Sequence, residues 1–201
     1  MFKREDLIGK STQEIQEMLE KDVQTYAVGL EVIETKEEIL DLERELMIKM
    51  DENEEYLKTL TYTLPDEAKF DGTVFSKKAL AEYIVDFINT QELEFSYSLG
   101  MFELVKLWKT KDLQEVGYYA FDSTLRILGQ CKYRGYEAWR KILAVNEFMK
   151  ASHEAYVRDT SYMVYLSSLH NALVDALKKF DEPTEENADV QACEEWANRD
   201  E

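Results

Sequence analysis

At 201 residues, with seven glycines and two prolines making up about 4% of the chain where about 12% is usual, the sequence has too few turn formers for a β-sandwich, a barrel or a Rossmann-type sheet. A hydrophobic share of 45% suffices for a sizeable core and excludes wholesale disorder. The balance of 24 basic against 42 acidic residues, net −18, opposes any general electrostatic affinity for DNA or anionic lipid.

The first element announces itself by a cap. Ser11-Thr12-Gln13-Glu14 is a capping box, in which the Ser11 hydroxyl and the Glu14 carboxylate each take an amide of the other residue. Ile15, Met18, Leu19, Tyr26, Leu30 and Ile33 follow at helical spacing, and Ile39, Leu42, Leu46, Met50, Asn53, Leu57 and Leu60 form a heptad-like seam. Residues 12–60 therefore read as one helix of roughly 75 Å, or as two with a break near Gly29 or Thr35. Alternation at Leu60, Tyr62 and Leu64, then Pro65-Asp66 and Asp71-Gly72, predicts an irregular connection or small hairpin over 61–75.

Ser76 is placed to cap a helix carrying Leu80, Ile84 and Ile88, with a break near Asn89-Thr90 before a second helical stretch through Leu99, Phe102 and Trp108. Asp112 with Glu115 three residues on reads as another capping box, opening a helix that stops at Gly129. Between Gly135 and Pro183 lie 47 residues without Gly or Pro, in which Ile142, Met149, Tyr156, Met163, His170 and Leu177 repeat every seven. This predicts a long final helix of about 60–65 Å with Leu166 and Leu173 on its inner face.

The expected architecture is all-α: an elongated antiparallel bundle in a single domain over residues 1–180, followed by an acidic tail, 181–201, in which Val190, Cys193 and Trp196 recur every three and a short docked helix would have Trp196 as its anchor. The start of the chain runs into charge without an apolar leader, no stretch is apolar enough to span a membrane, and Cys131 and Cys193 sit in unlike contexts; a cytoplasmic protein with free thiols is expected.

The charge is segregated. Residues 11–60 hold 15 acids and 5 bases, and residues 181–201 hold 9 acids and Arg199, whereas the middle is almost neutral. Within it, Arg126, Lys132, Arg134, Arg140 and Lys141 form a basic stretch opposed only by Glu137, a candidate dock for an acidic segment of this chain or of another copy. Tyr136 and Trp139, interleaved with these bases, read as packing at a helix start rather than as a single-strand nucleic-acid platform.

Catalytic signatures are wanting. Gly9-Lys10-Ser11-Thr12 has Arg4 where a phosphate-binding loop needs glycine, and the Gln191-Ala192-Cys193 run continues into acids that would raise a thiol pKa. His153 and His170 lack a Glu three residues before them, and on one straight helix they would lie about 25 Å apart, too far to share an ion. An all-carboxylate metal site from Glu94, Glu103, Asp122 or Glu147 is the weakest alternative. The sequence thus points to a non-enzymatic interaction or assembly protein of the scaffold, adaptor or virion-structural kind. It is expected to self-associate, with no cofactor, small-molecule substrate or direct nucleic-acid contact. The runner-up is an acidic mimic of DNA that occupies a nucleic-acid-binding protein.

Overall fold

The computed structural model of the chain describes residues 1–90, 98–130 and 132–181. Of these, 74% are helical, in seven helices, and two small two-stranded sheets complete the regular structure. The chain is organised as two compact units, one made of Met1–Glu52 with the chain from Ser161 onward, the other of Asn53–Thr160.

In the first unit, α1 (Thr12–Leu30) starts at the Ser11 box, where the Glu14 amide donates to Ser11 Oγ and the Ser11 amide donates to the Glu14 carboxylate at 2.8 Å. The Ser11 hydroxyl also donates to that carboxylate, and this bond, followed by the one from the Ser11 amide, holds the Glu14 carboxyl below its ordinary range. The helical pattern breaks at residues 31–35 and resumes in α2 (Lys36–Thr59), so the two-helix reading of 12–60 is the one the chain adopts. Residues from Ser161 of α7 (His153–Asp181) supply the third helical segment. Ile15, Leu19 and Leu30 of α1, Ile39 and Leu46 of α2, and Leu166, Leu169 and Leu173 of α7 make one apolar core, so the predicted inner face of the last helix is correct. Leu7 joins this core from a short 3-10 turn at Arg4–Leu7, and the Phe2 amide donates to Tyr165 Oη at 3.0 Å.

The second unit holds the sheets. Strands β2 (Glu67–Phe70) and β3 (Thr73–Ser76) pair antiparallel across the two-residue turn Asp71-Gly72, where φ of 48° and 72° gives the mirror-image turn that Asp-Gly favours. Strand β1 (Thr61–Thr63) pairs antiparallel with β4 (Glu115–Gly117), Tyr62 opposite Val116. Around them lie α3 (Lys77–Asn89), capped by Ser76, then α4 (Ser98–Trp108), α5 (Tyr118–Gln130) and α6 (Tyr136–Lys150), with α6 packed on β2 and α3.

Three expectations fail here. Glu115 lies in β4 and Asp112 adopts φ 59°, so there is no capping box at that point; Tyr62 and Val116, opposite one another in the strand pair, are both buried, and α5 begins only at Tyr118. That helix runs one residue past Gly129. The long last helix is two, because Ser152 leaves the helical ladder and donates its hydroxyl to the Thr63 carbonyl at 2.9 Å, interrupting α6 and α7 without help from Gly or Pro.

Candidate interaction surface

The five cations of the basic stretch do different things. Arg126 is held by Asp122, one turn earlier on α5, at 2.8 Å. Arg140 donates to Thr73 Oγ1 of the hairpin and lies 5.6 Å from the Phe75 ring centre, and the Lys141 ammonium stands 4.7 Å from the centre of the Tyr83 ring on α3. Arg140 and Lys141 thus tie α6 to the hairpin and to α3, whereas Arg126 pairs within its own helix. Lys132 and Arg134 remain exposed, with no ion pair among the described residues. Trp196 and the acidic tail lie outside the described residues, as do Cys131, Cys193 and Glu94.

The aromatic residues beside these cations are not packed as the sequence suggests. Tyr136 is 68% exposed, Trp139 57% and Leu143 44%. Their spacing of three and four places them on one stripe of α6, opposite the face that buries Val145 and Phe148. Trp139 is nonetheless fixed in place, its indole N–H donating to the Tyr133 carbonyl at 3.2 Å. The helix begins at Gly135, whose φ of 91° suits glycine alone, and no side chain caps it. Its positive dipole end therefore sits at the same end as Lys132 and Arg134. The readable signal was an α6 sequence apolar on two opposite faces, since one core accounts for only one of them.

A second cluster is buried. Tyr62 donates to Asp159 Oδ2 at 3.1 Å, Tyr156 donates to Asp122 Oδ1 at 2.7 Å, and the Tyr118 and Thr160 hydroxyls lie 3.3 Å apart. The rings of Tyr62, Tyr118 and Tyr156 surround that of Phe121 or one another at 4.8–6.4 Å. Desolvation, and then the hydrogen bond to Asp122, push the Tyr156 phenol up to about 12, and desolvation, followed by the charge of Asp159 and the hydrogen bond to it, raises Tyr62. The fold thus favours the neutral phenols, and the stability they contribute is complete below their ordinary value of 10.0 and lost as pH rises through the raised one. Melting temperature should accordingly hold steady as pH approaches 10 and fall above it, with a late phase of phenolate absorbance, from the buried phenols, rising together with the loss of helical circular dichroism. Phenolate absorbance that reaches its full twelve-tyrosine value with the fold intact would refute the burial of this cluster.

Other candidate chemistry is accounted for locally. Glu103 pairs with Lys106, Asp122 with Arg126, and Glu147 with Lys150, and no group of three or more potential ligands is gathered for a metal among the described residues. His153 and His170 both lie on α7, and His170 Nε2 is 3.6 Å from Glu43. A groove of about 730 Å³ beside α3 is lined by Lys77, Lys78, Lys109 and Lys111, but also by four carboxylates, so it presents no net charge. Lys77 is already held there by Asp66 at 2.8 Å and Gln114 at 2.9 Å. No described helix is long and apolar enough to cross a membrane. No family model matches the chain, and no curated protein or solved structure is significantly similar to it.

Proposed function

We propose that this is a non-enzymatic helical interaction protein that associates with further copies of itself, as a scaffold or assembly component does. One observation carries the reading: α6 holds a positioned, largely exposed Trp139 between Tyr136 and Leu143, next to two exposed cations. Tryptophan and tyrosine dominate binding energy where they are central and pre-positioned, because little conformational freedom is lost on contact. In this reading α1, α2 and α7 supply the antiparallel bundle foreseen from the heptad seams, the short 31–35 connection suiting antiparallel neighbours.

Sedimentation velocity over a range of concentrations tests it. The native chain should associate in a concentration-dependent manner, and Trp139→Glu should sediment as a monomer with an unchanged far-ultraviolet spectrum, since its side chain is not part of the core. A native chain that stays monomeric throughout, or a Trp139→Glu variant that associates as the native chain does, would reject the proposal.

A further inference from the structure

The α6 stripe has a counterpart in chemistry on the same polypeptide. Along α2, Glu38, Glu45, Ile48 and Glu52 fall at intervals of seven, three and four, which aligns them on one helical face, and all four are exposed. Ile48 is 59% exposed, an aliphatic side chain bracketed by carboxylates. Asp41, on the same face, is tied to Arg44. The opposite face of α2 is committed to the core through Ile39 and Leu46.

The two stripes match in length and, at the N-terminal end of α6, in sign. Tyr136 to Leu143 spans about 10 Å of helix, and Glu45 to Glu52 spans about the same. The α6 stripe is aromatic and aliphatic, with Lys132, Arg134 and an uncapped helix N-terminus at one end; the α2 stripe has its apolar residue in the middle and an acid at each end. We infer that the α6 face of one copy receives the α2 face of a second copy, Ile48 seated against Trp139 and the glutamate on the side of the α6 N-terminus, Glu45 or Glu52 according to the direction of α2, meeting Lys132 and Arg134. The inference rests on the self-association proposed above and names its two surfaces. Because those surfaces differ, the contact is heterologous, so each copy offers one donor and one acceptor face and association extends beyond a closed pair unless geometry closes a ring. The attraction between the charged rims should weaken as salt rises and the screening length shrinks.

Charge reversal in the full-length chain tests the assignment. Lys132→Glu/Arg134→Glu makes the acceptor face acidic, and Glu45→Lys/Glu52→Lys makes the donor face basic. Either variant alone should self-associate roughly 100-fold more weakly than the native chain, since like charges then face one another. An equimolar mixture of the two should recover association, because each variant's altered face now meets the other's complementary one. Both changes are at exposed positions, and circular dichroism verifies that each variant is folded.

A mixture that stays dissociated, or a Glu45→Lys/Glu52→Lys chain that associates like the native one, overturns the α2 assignment. Loss of association in Glu194→Gln/Glu195→Gln while the α2 variant associates normally would give the α6 face to the acidic tail and likewise overturn it. If the native chain associates and Trp139→Glu does not, the broader reading stands even when the mixture fails. If the native chain is monomeric, both fall together.

Discussion

Phe121→Ala should cost about 3–5 kcal/mol, the range for removing a buried aromatic ring, measured by urea denaturation followed by circular dichroism. Phe121 is fully buried, with the Tyr62 ring centre 4.8 Å and the Tyr156 ring centre 5.4 Å away. The size of such a loss depends on whether neighbours can fall into the space left behind, and here they are restrained. Tyr62 is held through its hydroxyl to Asp159 and Tyr156 through its own to Asp122. Moving either ring inward would stretch a hydrogen bond to a carboxylate, which is stronger than a neutral one. The cavity should therefore persist, and the loss should lie toward the upper part of the range. A cost below about 1 kcal/mol would mean that the cluster is not packed as described.

Leu173→Ala is the corresponding test in the other unit, with an expected cost of about 2–5 kcal/mol. Leu173 is fully buried in a core with Ile15, Leu19, Ile39 and Leu46, where helical segments from distant parts of the sequence meet. Truncation there removes apolar contact with side chains of more than one helix, and helices already packed on other layers have little freedom to close the gap. Leu173→Asp should be more damaging, because a carboxylate in that core has no partner to offset its lost hydration. A Leu173→Asp chain with native stability would place Leu173 on the wrong face. Leu166, one heptad earlier and equally buried, should behave in the same way.

What could be read in advance was local. The Ser11 box involves residues three apart, the Asp71-Gly72 turn is a two-residue statement, and the seams on α2 and α7 repeat within a helix; each leaves its mark in a short window of sequence. What was hidden depended on residues far apart. Glu115 after Asp112 imitates a capping box, and only the pairing with Thr63, 52 positions away, makes it part of a strand. Ser152 looks helical until the Thr63 carbonyl, 89 positions earlier, accepts its hydroxyl. The same holds for the surface. Arg140 and Lys141 look like part of a free basic patch because Thr73 and Tyr83, which engage them, belong to other elements. Trp139 was misread for a related reason: an aromatic residue is ordinarily covered, and the sequence does not record that the core of its unit is already filled from the opposite side of α6.

The division of the chain also sets an order of events during synthesis. Residues 53–160 are contiguous and can close on themselves as soon as they have all emerged, but the unit that opens with Met1–Glu52 needs residues from Ser161 onward to cover its core. At about 5–20 residues per second, Ile15, Leu19, Ile39 and Leu46 wait on the order of 5–20 s for α7, while the whole of the other unit is being made. Throughout that interval α1 and α2 can cover one another only in part. The nascent chain thus carries an open apolar seam that neighbouring nascent chains of the same sequence also display, and it should be more prone to aggregate in that interval than the finished protein. Chains released before Ser161 never lose that seam, and they should be cleared by proteolysis even though their contiguous unit is complete.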